Sequence, residues 1–319
     1  MKSAAIICAV GIVCQSGLVL GAEQVNTALI TLVAESNRLN RGMLNAVSLE
    51  YSTSIRVLDG GKPAVGPDNN VDKTGRYAFK GEQVFQEEVL TSCDNLTLRY
   101  VRSGEEVRCR VSSSKMVGGV VLIGTREKCT IKPGSLDPWS QVDDGVSDRL
   151  DKLPEGSEVT EILPVVEGGV EYVKAVVVCP NGPGVRVPYT IWYSVKNNYL
   201  PVRHEYSWRS SDGSLTGSGE VTSIGEYEIN GSTVYLPLAV RTRRVVNDQT
   251  TVETVRNTNP SSVEINPCLS DELFVVAVQD GDQLIDKDTD LELIGPGGRN
   301  LLMGVTESRM RNLGPSTQP

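Results

Sequence analysis

The residues best suited to chemistry lie near the C-terminus, where DGDQLIDKDTDLE runs from Asp280 to Glu292. Asp286, Asp288 and Asp290 alternate as the oxygen donors of a calcium loop do, and they are the candidate cation ligands of this chain. A helix–loop–helix calcium site also needs glycine at its sixth position and a bidentate glutamate at its twelfth. Counted from Asp286, those positions hold Leu291 and Gly297. The flanks LFVVAV and LELIG have the apolar, β-branched character of strands rather than of flanking helices. The run reads as a solvated turn at the end of a sheet.

Other reactive groups are sparse. His204 is the sole histidine, and no G-x-S-x-G elbow accompanies it for a Ser–His–acid site. Within LPVRHEYSW it falls on a strand and reads as structural. A single histidine also excludes the usual multi-histidine zinc and iron centres. The pairs Glu87-Glu88, Glu105-Glu106 and Asp143-Asp144 fall in turns or strand flanks, where solvation accounts for them. No glycine-rich loop leads from a strand into a helix, so nucleotide binding has no support. No cofactor and no catalytic residue is expected, and the chain reads as non-enzymatic.

The N-terminus explains part of the composition. Met1 and Lys2 precede AAIICAVGIVCQSGLVLGA, a short apolar stretch ending in small residues. That is the plan of a secretory signal peptide over 1–22, too short for a stable membrane span. Cys14 lacks the leucine and small-residue approach of a lipidated cysteine. The product is expected to be exported, periplasmic or secreted, and not an integral membrane protein. Its net charge of −9 repels phosphate backbones and argues against nucleic acid as a partner. Beyond the leader lie Cys93, Cys109, Cys129, Cys179 and Cys268, with no CxxC pair. An oxidising compartment would allow one or two disulfides among them and leave at least one thiol, with the pairing open.

The elements that must carry these residues follow from hydrophobic period. Val25, Leu29, Leu32, Val33, Leu39 and Met43 recur at helical spacing, predicting an amphipathic helix from about Glu23 to Asn45. From VSLEYSTSIRVL onward the period becomes two, and the runs are rich in β-branched and aromatic residues. RSGEE joins two such runs as a hairpin, and NGPG, KNNY, SSDG, NGS and NDQ separate later ones. Between about 133 and 165 the pattern is irregular, with a short helical piece near Ser147–Leu153 and Trp139 available to cover an apolar opening. About ten strands and one helix predict a β-rich α+β domain over 23–294, a broad antiparallel sheet that curls. Residues 295–319 read as a peripheral tail.

The order of these pieces resembles the LolA/LolB-like superfamily of periplasmic lipoprotein carriers and outer-membrane lipoprotein-sorting proteins. The residues that carry the resemblance are the step Leu200-Pro201-Val202 before a charged strand and the step Tyr235-Leu236-Pro237 in a second. A last run follows through Phe274 and Gly281 to Asp286. The resemblance spreads over most of the chain beyond the leader. It implies a half-open β-barrel, or a strongly curved sheet, wrapped around the N-terminal helix. It also implies a non-catalytic carrier that binds lipid or lipoprotein acyl chains in an apolar groove. Leu29, Leu32 and Val33 on the helix, with Phe79, Phe85, Trp192 and Trp208 on strands, are the groove candidates. The alternative is a structural or protein-interaction module of the cell envelope with no ligand cavity.

Overall fold

The computed structural model describes residues 22–63, 70–91, 94–125, 128–129, 150, 153, 155–180, 185–210, 213–289 and 291–294. Helix α1 spans Ala22–Gly42 and buries Leu29, Val33, Ser36, Asn37 and Asn40 on one face. It stops three residues short of the expected end. There the Asn266 side chain accepts from the backbone N–H of Asn45 (2.7 Å) and Ala46 (3.1 Å) and donates to the Met43 carbonyl (3.1 Å). A residue far along the chain thus satisfies the groups that the turn out of the helix would strand.

The strands are β1 (Ala46–Asp59), β2 (Lys62–Pro63), β3 (Asn70–Lys80), β4 (Gln83–Leu90), β5 (Leu96–Ser103), β6 (Glu106–Ser112) and β7 (Val120–Thr125). They continue as β8 (Glu158–Glu167), β9 (Val170–Pro180), β10 (Arg186–Ser194), β11 (Leu200–Ser210), β12 (Gly213–Ile229), β13 (Ser232–Val246) and β14 (Thr250–Thr258). The last are β15 (Glu264–Ile265), β16 (Gln283–Asp286) and β17 (Leu291–Ile294). The run β8 to β14 is one meander and β3 to β7 another. β1 joins them by pairing with β3 on one side and β14 on the other. Turns with glycine or asparagine at positive φ make the hairpins, such as Gly168-Gly169 between β8 and β9 and Asn230-Gly231 between β12 and β13.

Two expectations about the elements change. The irregular stretch ends before Glu158, because Glu158–Glu167 pairs with β9 across the Gly168-Gly169 hairpin. LFVVAV is not a strand. Asp271–Phe274 is a 3-10 turn, and Phe274 and Val276 are buried against the sheet. Trp139 and nearly all of the proposed helical piece lie outside the described residues.

The sheet bends around the helix. The Asn37 side chain donates to the Tyr199 carbonyl next to β11 (2.8 Å), and Asn40 pairs with the Tyr235 backbone in β13 (3.2 Å). The Arg41 guanidinium lies 3.9 Å from the centre of the Phe79 ring in β3. Four residues of helix advance about 6 Å. Five strand intervals, from β11 through β14 and β1 to β3, span about 24 Å if flat. Only a sheet curved onto α1 brings all three contacts within side-chain reach. The fold is thus the β-rich, curved-sheet class expected, with one addition. β16 pairs parallel to β7, so the sheet is mixed rather than wholly antiparallel.

Candidate functional site

Partners across an antiparallel pair point to the same side, and neighbours along a strand to opposite sides. Register therefore sorts the side chains onto an inner face, toward α1, and an outer one. Leu29 and Val33 bury in one cluster with Tyr189, Ile191 and Tyr193. Leu32 and Trp208 pack at its margin. Phe79 belongs to a second inner cluster with Val47, Leu49 and Leu236.

Phe85 and Trp192 are not on this face. Phe79 pairs with Val84, whereas Phe85 pairs with the neighbouring residue Ala78 and so points outward. It packs with Val101, Ile123 and Phe274. Trp192 alternates with Ile191 and Tyr193, and its ring is sandwiched outside by Arg203 (4.2 Å) and Lys174 (5.3 Å). Its indole N–H donates to Glu167 (3.1 Å). Period two states that neighbours diverge but not which of them turns inward.

The inner face has two zones. Along β1 the inward residues Val47, Leu49, Tyr51 and Thr53 are buried, whereas Ile55 and Val57 are half-buried. Val71 shares the row of Ile55 and Val252 that of Val57, both half-buried, and one row further out Val246 pairs with Leu215, which stands opposite Trp208. Leu90 and Leu96 extend this apolar zone onto β4 and β5. α1 meets the near zone at Phe79 and Tyr235, and Trp208 packs at the margin of the Leu29–Val33 cluster.

A polar belt divides the zones. The Glu88 carboxylate accepts from the Tyr51 hydroxyl (2.7 Å) and the Gln86 amide (2.9 Å) and pairs with Lys73 (2.8 Å). Glu88 and Gln86 are buried. Burial first, then the Glu88 charge, pushes the Tyr51 phenol well above its ordinary range. Beside the belt, His204 is buried and neutral, its pKa lowered by burial to about 4. Its ring lies flat over Gly219, and that of Tyr206 over Gly217. An added Cβ would stand 2.1 Å and 2.2 Å from them. The alternate glycines of LTGSGEV, opposite aromatic positions of the next strand, were the available signal for this packing, and sequence reasoning missed it.

The acidic run is structural rather than solvated. Asp282 and Asp286 are fully buried. Asp282 pairs with Arg110 (3.0 Å) and accepts from the Gly119 (2.6 Å) and Gln279 (2.8 Å) amides. Burial raises its pKa, but Arg110 and those amides more than offset this and hold it below the usual carboxylate range. Asp286 accepts from the Asp288 amide (2.9 Å), and Asp288 accepts from the Thr125 amide and hydroxyl (both 3.0 Å). These bonds clamp β16 beside β7. Gly118, at φ +83, lets the Gly281 carbonyl approach to within 2.1 Å of where a Cβ would stand. Asp290 lies outside the described residues, among which no group of three or more His, Cys, Asp or Glu side chains could hold a metal. Cys109, Cys129 and Cys179 are buried, with the Cys109 thiol pushed up to about 12 by burial and then by Cys129, and Cys268 is exposed.

A cavity of about 510 Å³ opens on the outer face, bordered by Glu50, Ser52, Thr74, Arg76, Glu87 and Asn257.

No family model and no curated protein matches the chain. Its chain path is similar to a DUF1329 family protein from Desulfovibrio piger (14% identity, 76% of this chain and 97% of that one, TM-score 0.45). It is similar to a domain named for outer membrane lipoprotein sorting from Vibrio parahaemolyticus (9%, 77% and 97%, 0.40). A third likeness is to the Mycobacterium tuberculosis lipoprotein LppX (11%, 72% and 94%, 0.27). The second bears the name of the group that the sequence resembles. At these identities and TM-scores no function passes from them, and the site rests on the geometry of this chain.

Proposed function

We propose that this protein is an exported, non-catalytic carrier that holds lipid or lipoprotein acyl chains against the far zone of the inner face. The observation that supports it is the two neighbouring half-buried apolar pairs Ile55–Val71 and Val57–Val252 on the inner face. Each methylene moved there from water contributes about 0.8 kcal/mol, so about ten would supply roughly 8 kcal/mol before ordering costs. The groove lies beyond the clusters that Leu29, Val33 and Phe79 fill. Among the described residues no helix is long and apolar enough to cross a membrane.

Native mass spectrometry of protein purified from a membrane-containing lysate, followed by solvent extraction, tests the reading. Bound masses of phospholipids or acylated peptides are expected, and Val57→Asp or Val252→Asp should abolish them in a protein that circular dichroism shows still folded. A clean apo mass, with no uptake of a fluorescent fatty acid, overturns the carrier. The envelope-module reading would then gain from β8. Among the described residues this strand pairs only with β9, and its Val166 is 69% exposed, so an added partner strand could extend it.

A further inference from the structure

The cysteines beyond the leader are sorted by the fold. Cys179 is buried on β9 in the cluster of Leu29 and Val33, and Cys268 is exposed. Cys93 lies outside the described residues. Cys109 and Cys129 share one cluster, buried at 0% and 2% exposure among Tyr100, Val107 and Leu122.

Register and one turn bring these two together. Cys109 stands in β6 between Tyr100 of β5 and Leu122 of β7. The row runs on through Gln86 and Tyr77 to Leu49, so Cys109 faces inward. β7 ends at Thr125, whose carbonyl accepts from the backbone N–H of Lys128 (3.1 Å) and of Cys129 (2.9 Å). That turn reverses the chain and returns Cys129 to the inner side of β5, β6 and β7. The thiols are close enough for the charge of one to act on the other, because Cys129 is second to burial in pushing the Cys109 thiol up to about 12. The same turn holds β16, since Lys128 Nζ donates to the Asp288 carbonyl (3.2 Å) beside the bonds from Thr125 to the Asp288 carboxylate.

We propose that Cys109 and Cys129 are joined by a disulfide in the exported protein, which pins the turn after β7 to the inner face of β6. The two thiols give up two protons and two electrons as the S–S bond forms, and a second disulfide, such as glutathione disulfide, is reduced to two thiols in exchange. Exchange needs a thiolate and access to it. A fully buried Cys109 with its thiol pushed up to about 12 offers neither, so the bond forms while the chain folds, before the cluster closes. Once formed, the bond is shielded from reductants by the same burial. Its presence in the cell rests on the export reading, whereas the pairing rests on the geometry of β5, β6 and β7 and is tested apart from it.

The experiment refolds the full exported chain from denaturant in a glutathione redox buffer, alkylates it after unfolding without reduction, and digests it with a glutamate-specific protease. Cleavage at Glu106, Glu127 and Glu155 puts the two cysteines on separate peptides, 107–127 and 128–155. The expected product is those two peptides linked, falling apart on reduction. The oxidised chain should melt about 4–12 °C above the same chain refolded with reductant, and Cys129→Ala should abolish that difference. Alkylation of both cysteines after oxidative refolding overturns the proposal, as does a link from either one to Cys93, Cys179 or Cys268. A redox-dependent melting temperature that survives in Cys129→Ala overturns it too. The linked pair after refolding, but alkylated thiols in protein isolated from its cell, would overturn the export reading alone.

Discussion

The packing of His204 on Gly219 makes a prediction that can be followed in detail. In Gly219→Ala the new methyl would stand 2.1 Å from His204 Cε1 and 2.8 Å from both ring nitrogens. Carbon contacts settle near 3.5–4.0 Å, so the ring must shift by about 1.5 Å or turn. It has little room, because His204 is only 3% exposed and its ring stacks beside Tyr206. Overpacking of this kind costs about 1–3 kcal/mol. For a domain of this size that lowers the melting temperature by about 2–12 °C. Differential scanning calorimetry of Gly219→Ala, His204→Ala and the double variant supplies the assay as a double-mutant cycle. His204→Ala alone should destabilise by leaving a cavity. In the double variant the alanine methyl occupies part of that cavity, so the summed single losses should exceed the measured one by at least 1 kcal/mol. A neutral Gly219→Ala, or a strictly additive double variant, would refute the argument that the glycine exists to seat the ring.

Two further outcomes follow from titration. His204 has its folded pKa lowered to about 4, below the ordinary 6.5, so the unfolded chain binds its proton first as pH falls. Its neutral burial therefore stabilises the fold fully above about pH 6.5, and about 3 kcal/mol is lost as pH drops through 4. Urea unfolding at pH 7 and pH 4.5 should show this loss in the natural chain and a smaller one in His204→Asn. Equal losses would rule out the histidine as the source. Asp282→Asn should cost about 3 kcal/mol at pH 7 by breaking the buried pair with Arg110. Because the folded carboxylate titrates below its ordinary range, its contribution is present above about pH 4 and lost below the folded value. The gap between variant and natural chain should therefore close in acid, and limited proteolysis at pH 7 should cut the variant first around Gln279. A gap that persists undiminished in strong acid would show that the ion pair is not its cause.

Local chemistry determined much of this molecule. Strand alternation, the Asn230-Gly231 and Gly104-Glu105 hairpins, and the apolar stripe of α1 are each set by residues within a few positions of one another. Tertiary structure decided the remainder because it depends on long-range register. Period two makes Phe79 and Phe85 candidates alike, and only the pairing of β3 with β4 turns one toward the helix and the other away. The aspartates of the C-terminal run look like solvent-facing groups until β16 docks beside β7, where Arg110 and the amide of Gly119 meet Asp282. The apolar pairs Ile55–Val71 and Val57–Val252 are drawn from β1, β3 and β14, so they share a face only once β1 has joined the two meanders.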